Sequence, residues 1–190
     1  MSYKVLRFFF ILLTLAYTSQ SLAKVDAELR KHLKEAINSS ESFNDRFEAE
    51  VWLVDMSARL SRYIKDKSFR VQFLQALHLE ASKNKLPPEM VLALIQTESA
   101  FQPYAISSVG AQGYMQIMPF WRKEIGRDND NLMDFRVNLK YGCAILAHYL
   151  KREKGNWTRA LARYNGSLGK TWYPERVMKA WQKRWFVQNI

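Results

Sequence analysis

The stretch Val91-Leu-Ala-Leu-Ile-Gln-Thr-Glu98-Ser99 decides how the rest of this chain is interpreted. It follows Leu86-Pro87-Pro88-Glu89, and proline with an early acid is typical of the first turn of a helix. Val91, Leu94 and Glu98 recur at helical spacings, so they share one face of the predicted helix. Glu98 therefore occupies a position where a core residue is expected. Loss of water raises the pKa of a carboxyl group, which can then hold a proton and donate it as a general acid.

The sequence after this helix adds further motifs. A lone Glu on an apolar face is more often part of a structural ion pair than a catalytic acid, so the choice between these two roles depends on the motifs that follow. A turn-rich loop follows Ser99 and contains Gly113-Tyr-Met-Gln-Ile-Met-Pro119. The pair Tyr164-Asn165 comes later in the chain, after a further predicted helix.

Glu98-Ser99, the segment 113–119 and Tyr164-Asn165, in this order, resemble the soluble lytic transglycosylase (SLT) family of lysozyme-like enzymes of the bacterial cell wall. The resemblance runs from about Leu86 to Gly169. It departs from the family pattern at Tyr114, where Leu is usual, and at Arg163, where Ala is common. It implies an all-α fold, a lysozyme-like or goose-type lysozyme-like helical domain, and the sequence shows hardly any strand-like alternation.

The resemblance also implies a reaction and a set of site residues. Glu98 would protonate the oxygen that joins N-acetylmuramic acid to N-acetylglucosamine. As a carboxylate it would then take a proton from the 6-hydroxyl of the muramic acid, which gives a 1,6-anhydro product without consuming water. The residues that the resemblance assigns to substrate binding are Ser99, Met115, Gln116, Tyr164 and Asn165.

The resemblance gives each of these residues a particular role. Ser99 would orient the substrate beside the acid, whereas Met115 and Gln116 would line the sugar subsites. The hydroxyl of Tyr164 would meet the carboxylate of Glu98, with Asn165 beside it. Taken alone, each residue has an ordinary structural explanation, such as core packing for Met115, and their joint occurrence favours a site.

Two other functions remain open from the sequence. Glycosidases usually need two carboxylates, and a goose-type lysozyme-like muramidase would use water as the acceptor. Asp128, Asp130 and Asp134 are candidates for the second carboxylate, but loop and helix-cap roles explain them better. The other alternative is a non-catalytic wall-binding or secretion-assembly protein, against which intact Glu98, Ser99 and Gln116 argue.

The first residues indicate export. Lys4 and Arg7 precede the apolar run Phe8–Ala16, and Ser21-Leu22-Ala23 provides small residues for cleavage. We therefore expect a signal peptide at 1–23 and a mature protein in the periplasm. An uncleaved membrane anchor is the alternative, which the shortness of the apolar run disfavours. Residues 24–85 are predicted to form N-terminal helices that pack on a catalytic domain at 86–190.

Positive charge is concentrated towards the C-terminus. The chain carries a net charge of +11, of which residues 151–190 contribute +8 and residues 24–150 only +1. Such a region suggests an anionic partner, and for an exported protein the glycan strands of peptidoglycan or an anionic envelope surface fit better than nucleic acid. A solvated helix face without a partner explains the charge equally well. An envelope-spanning secretion or pilus machine is a further candidate partner.

No cofactor or metal site is predicted. Cys143 is the one cysteine, so no intrachain disulfide can form, and its apolar neighbours predict a buried thiol. The three histidines form no ligand pattern. The loop 127–131 lacks the glycine and the distal Glu of a calcium-binding EF-hand.

Helical periodicity covers most of the remaining chain. The predicted helices span residues 24–38, a segment around 47–60 that carries Phe47, Val51, Val54 and Leu60, and Phe69–Ser82 with Phe73, Leu74, Leu77 and Ala81 facing inward. Further helices are expected at Phe135–Glu153 after the N-cap Asp134, at Trp157–Arg163 after Asn156, and from Pro174 onward.

Overall fold

The computed structural model describes residues 45–187, so the predicted signal peptide and the predicted helix 24–38 lie outside the described residues. Within 45–187 the chain forms helices and no β-strand, which confirms the predicted all-α class. The elements are α1 (Arg46–Leu60), α2 (Lys67–Lys83), α3 (Pro88–Ser99), α4 (Trp121–Ile125), α5 (Phe135–Arg152), α6 (Trp157–Asn165), α7 (Trp172–Ala180) and a π-helical turn (Trp181–Trp185). No helix in this part of the chain is long and apolar enough to cross a membrane.

Side-chain caps fix where several helices begin. Asp66 accepts a hydrogen bond from the backbone N–H of Phe69 at 2.7 Å and so starts α2. The predicted caps Asp134 and Asn156 are both confirmed, because each side chain accepts from backbone N–H groups of the first turn of α5 and α6. Such caps satisfy N–H groups that have no partner inside the helix, and each typically contributes about 1 kcal/mol.

Helix α1 buries a different face from the one its apolar residues suggest. Leu53, Met56 and Leu60 are fully buried, whereas Phe47 is 75% exposed and Val51 is 53% exposed. Val54 is exposed as well. The helix has two apolar stripes, and only the one that meets α2 enters the core of the described residues.

Helix α3 is the centre of the fold. Every residue from Met90 to Ile95 is buried, which is expected of a helix that is enclosed on all sides. It packs against α2, α7 and the π-helical turn. The inward face of α2 is as predicted, since Phe73, Leu74, Leu77 and Ala81 are all fully buried.

The C-terminal elements close the bundle over α3. Helix α7 begins at Trp172, two residues before the predicted Pro174. Trp185 of the π-helical turn is fully buried, and its indole N–H donates to Oε1 of Gln96 at 2.9 Å. The guanidinium of Arg59 on α1 donates to the carbonyl of Arg184 at 2.6 Å. These two bonds attach the end of the described chain to α3 and α1.

Candidate active site

Glu98 lies in the last turn of α3, where the buried helix meets the surface. Its side chain is half-buried, and this burial raises its pKa from 4.5 to about 7. Two other groups act in the opposite direction: a hydrogen bond from Tyr173, and the charge of Arg176. Desolvation is the largest effect, so the carboxyl group retains a proton in a substantial fraction of molecules at neutral pH.

Tyr173 is the residue whose hydroxyl reaches the acid. It lies in the first turn of α7, is buried, and donates its hydroxyl hydrogen to Oε1 of Glu98. The expectation that Tyr164 makes this contact is wrong, because the Tyr164 hydroxyl donates to the backbone carbonyl of Met115 at 2.8 Å. Both phenols are close enough to Glu98 for its charge to raise their pKa values further, beyond the larger effect of burial.

A strained turn follows the acid directly. Ala100 and Phe101 have φ angles of 48° and 63°, which lie in the left-handed region that residues other than glycine rarely adopt. Phe101 is buried, and its ring packs against those of Tyr63 at 4.8 Å and Trp185 at 5.7 Å between centroids. This aromatic packing offsets a backbone cost of roughly 1–3 kcal/mol for each unusual residue. The end of α3 is therefore held in one position.

Ser99 supports the loop that faces the acid. It is 8% exposed, and its hydroxyl lies 2.8 Å from the carbonyl of Tyr114 and 3.2 Å from that of Ile95. The bond to Tyr114 connects the end of α3 to the segment 113–119. The role of Ser99 in orienting the substrate stays a prediction, and its hydroxyl already has carbonyl partners inside the protein.

Asn138 holds the loop from the other side. Its side chain is fully buried on α5; its amide oxygen accepts from the N–H of Met115 at 2.7 Å, and its amide nitrogen donates to the carbonyls of Gln112 and Leu132. Gly113 lies against this amide with a φ of 74°, and a Cβ there would come within 2.5 Å of its nitrogen. The glycine of the motif is thus required by both conformation and space.

Met115 and Gln116 are both held by the protein. The side chain of Met115 is fully buried against Gly142, so the prediction that it lines a sugar subsite is wrong for the side chain. Gln116 is half-buried with a φ of 51°, and its amide nitrogen donates to the carbonyls of Gly113 and Ala105. The amide N–H groups of Gln116 are thus used within the loop, and its amide oxygen is the group that can contact a ligand.

Asn165 ends α6 and is exposed next to Tyr164. Its exposure is compatible with the predicted contact to substrate. The two departures from the family pattern also have structural explanations. Tyr114 is buried and packs its ring 4.8 Å from that of Phe73, and Arg163 pairs with Glu153 across the α5–α6 junction.

No other carboxylate among residues 45–187 contributes to the pKa of Glu98. Two of the candidates for a second acid are engaged elsewhere, since Asp130 accepts from the hydroxyl of Tyr141 at 2.5 Å and Asp134 caps α5. Asp128 is exposed. The same part of the chain holds no group of three or more potential metal ligands. Cys143 is fully buried as predicted, and burial raises the pKa of its thiol, so it is not suited to act as a nucleophile.

The positive charge of the C-terminal region is largely on the surface. We define the C-terminal basic set as the exposed cations Lys151, Arg152, Lys154, Lys170, Arg176, Lys179 and Lys183. None of them forms an ion pair with a carboxylate that the structure describes. Arg159 and Arg163 are excluded, since both pair with Glu153. Arg184 is also excluded, because it is half-buried over the ring of Tyr63.

Residues 45–187 thus form an all-helical structure in which the carboxyl group of Glu98 is desolvated at the end of the central helix. The model of the transglycosylase SLT domain matches residues 76–185, and the chain belongs to this family, which confirms the predicted resemblance. The match begins before residue 86, where the catalytic domain was predicted to start. The predicted division at 85/86 stays a prediction, and α1 and α2 share one hydrophobic core with α3.

Curated relatives agree with this assignment. The chain is 33% identical over 115 residues to a transglycosylase of Enterobacteria phage PRD1, covering 57% of this chain and 43% of the phage protein. It is 30% identical over 127 residues to the membrane-bound lytic murein transglycosylase D of Escherichia coli K12, covering 64% of this chain and 26% of that protein. The matched region thus spans less than half the length of either relative.

Solved structures of lytic transglycosylases also align with the chain. The complex of a 70 kDa soluble lytic transglycosylase with bulgecin A aligns at a TM-score of 0.47 and 22% identity, covering 78% of this chain and 26% of that one. An inactive mutant of the lytic transglycosylase Slt from Pseudomonas aeruginosa aligns at a TM-score of 0.45 and 24% identity, with coverages of 67% and 24%.

Proposed function

We propose that this protein is a peptidoglycan lytic transglycosylase that cleaves the bond between N-acetylmuramic acid and N-acetylglucosamine and leaves 1,6-anhydro ends. One observation carries the proposal: Glu98 is a half-buried carboxyl group with a pKa of about 7, and no second carboxylate among residues 45–187 influences it. A single acid that can hold and then accept a proton near neutral pH suits a reaction in which one residue performs both transfers.

The two proton transfers can be assigned to Glu98 without another ionisable group. Protonated Glu98 gives its proton to the bridging oxygen as the bond from the anomeric carbon to that oxygen breaks. The N-acetyl group of the muramic acid stabilises the cationic carbon, which is the substrate-assisted route. The 6-hydroxyl of the same sugar then attacks this carbon, and its proton returns to the carboxylate of Glu98. Because the nucleophile belongs to the substrate, the second step is intramolecular and favoured over attack by solvent.

Tyr173 and Arg176 support the charged state between these transfers. The hydroxyl of Tyr173 donates to Oε1 of Glu98, and such a bond is stronger when the acceptor carries a negative charge. The positive charge of Arg176 also favours the carboxylate. Both interactions therefore strengthen as Glu98 loses its proton, and both lower the energy of the intermediate more than that of the starting complex.

A muramidase that uses water is the competing reaction of the same site. An inverting hydrolase needs a second carboxylate roughly 6.5–9.5 Å from the first to activate water on the opposite face of the sugar. Of the three candidates, Asp130 and Asp134 have other partners and Asp128 lies on the surface. This arrangement favours the lyase over the hydrolase.

Mass spectrometry of products from purified peptidoglycan tests the proposal. The expected main products end in 1,6-anhydromuramic acid and are lighter by one water than the corresponding lysozyme products. Glu98→Gln should yield no product while keeping a native circular dichroism spectrum. Reducing ends as the main product would contradict the lyase reaction. Full activity of a folded Glu98→Gln variant would contradict the assignment of the acid.

The proposed substrate places the protein in the bacterial envelope. Several relatives are named membrane-bound lytic murein transglycosylases, which supports an envelope location. We extend this to export by the predicted signal peptide 1–23 and to action in the periplasm. Association with a secretion or pilus machine remains a prediction from the sequence.

A further inference from the structure

Two exposed side chains stand next to each other on α7 beside the residue that contacts the acid. Trp172 is 47% exposed, and Arg176 is also exposed. Residues four apart are neighbours on a helix surface, about 5–6 Å between Cβ atoms. Tyr173 lies between them in sequence; its ring packs edge-to-face against that of Trp172 at 5.8 Å, and its hydroxyl donates to Glu98. The pair therefore borders the candidate active site.

The charge of Arg176 is available to a ligand. Its guanidinium forms no ion pair with any carboxylate that the structure describes, although it is close enough to Glu98 and Tyr173 to act on both electrostatically. Arginine in such a position binds a carboxylate through two parallel N–H···O bonds. Because no carboxylate within residues 45–187 pairs with Arg176, an anionic group of a ligand can bind it beside Glu98.

The indole of Trp172 supplies a flat apolar surface next to this cation. The face of an aromatic ring carries partial negative charge, which attracts the polarised C–H groups on one side of a pyranose ring. A half-exposed tryptophan next to a reacting centre that acts on sugars is well placed for such stacking. An aromatic face beside a guanidinium can bind a sugar ring that carries a carboxylate, since the ring stacks on the aromatic face and the carboxylate accepts from the guanidinium.

We propose that Trp172 and Arg176 form a subsite for an acidic sugar, with the ring stacked on Trp172 and its carboxylate bound by Arg176. This inference rests on the proposed function, in which the substrate contains muramic acid. The carboxylate belongs either to the lactyl group of a muramic acid without peptide or to the peptide that substitutes it. The pair selects against neutral glycans such as polymers of N-acetylglucosamine.

The test is a binding experiment in the Glu98→Gln background, so that it does not depend on turnover. Isothermal titration would compare a glycan tetrasaccharide with free lactyl groups, the same tetrasaccharide with peptides attached, and chitotetraose as the neutral probe. Adding Arg176→Gln should weaken binding of a carboxylate-bearing probe ten- to a hundredfold, as expected for loss of a charge-assisted hydrogen bond, and leave chitotetraose unchanged. Adding Trp172→Ala should weaken binding of all three probes.

Lys179→Gln is the matched control, since it removes an exposed cation from the same helix one turn beyond Arg176. An Arg176 effect on one charged probe alone identifies which carboxylate is bound. Equal losses from Arg176→Gln and Lys179→Gln, or an equal loss on chitotetraose, would overturn the inference. This outcome can be told apart from failure of the proposed function. If the wild type yields 1,6-anhydro ends but Arg176→Gln leaves binding of the charged probes unchanged, only the subsite is refuted.

Discussion

Replacing Glu98 by Gln should stabilise the protein at alkaline pH, and the gain should vanish in acid. The pKa of Glu98 is about 7 in the folded chain against an ordinary value of 4.5. The folded protein thus holds the proton more tightly than the unfolded chain, and its free energy of unfolding falls as pH rises between these values. At about 1.4 kcal/mol per pKa unit, the penalty has an upper limit of about 3.5 kcal/mol. Solvent contact of the half-buried side chain reduces the expected value to about 2 kcal/mol.

Urea unfolding of the wild type and of Glu98→Gln, measured from about pH 4 to about pH 9, gives the comparison. Glutamine keeps an acceptor oxygen for Tyr173 but cannot ionise. The two free energies should therefore nearly coincide in acid, and Glu98→Gln should be about 2 kcal/mol more stable above about pH 8. Glu175→Gln removes an exposed carboxylate from α7 and should follow the wild type. Parallel curves for the wild type and Glu98→Gln would mean that Glu98 is not desolvated in the folded protein.

Three further predictions concern the site, its loop and the surface. Tyr173→Phe removes a hydrogen bond that favours the carboxylate of Glu98, so the alkaline limb of the rate–pH profile should move to higher pH. The maximal rate should fall by about tenfold or more. An unchanged profile would contradict the contact. Gly113→Ala should lower the free energy of unfolding in urea by about 1–3 kcal/mol more than Gly110→Ala does. Both glycines have positive φ, but only at Gly113 would the added Cβ collide with Asn138. Equal losses would show that space at this loop does not matter. Neutralising the C-terminal basic set should weaken sedimentation with insoluble peptidoglycan at low salt and change it little at high salt, where charges are screened within a few ångströms. Binding that ignores both changes would mark the set as a solvated surface.

The sequence was sufficient to predict the burial of Glu98 because local periodicity determines its surroundings, whereas its role as an acid was predicted from the further motifs. The spacing from Val91 to Glu98 places the carboxyl on the buried face of α3, and the structure gives it the raised pKa that this position predicts. Caps such as Asp134 are equally local, since a side chain two or three residues away suffices to make them. Helix class and boundaries therefore follow largely from short-range patterns.

What the sequence could not determine depends on contacts between distant segments. Tyr164 and Tyr173 both face inward, and only the packing of α7 against α3, with α6 against α7, decides which hydroxyl reaches Glu98. A usable signal existed, because Tyr173 and the fully buried Val177 lie four apart on one face of α7. The side chain of Met115 is buried because Gly142 leaves room for it on α5, and no local pattern at Met115 reveals that space.

The separation of Tyr173 from Glu98 along the chain has a consequence for how the protein folds. The two residues are 75 positions apart, and Gln96 and Trp185 are 89 apart. Contacts over such distances are expected to form after the local helices, because closing a long loop costs chain entropy before the contact contributes any stabilisation. Until α7 packs on α3, Glu98 lacks the contact with Tyr173, and we expect it to be more solvated, with a pKa closer to 4.5, and so to have lost its proton at neutral pH.

Acquisition of that proton therefore accompanies the completion of folding. On the proposed mechanism, we expect a chain in which α3 is formed but α7 is not yet docked to be inactive, because its Glu98 has no proton to transfer. In weakly buffered refolding near neutral pH, a dye that senses free protons should report an uptake in the wild type that is missing in Glu98→Gln, and this difference should appear as α7 packs on α3.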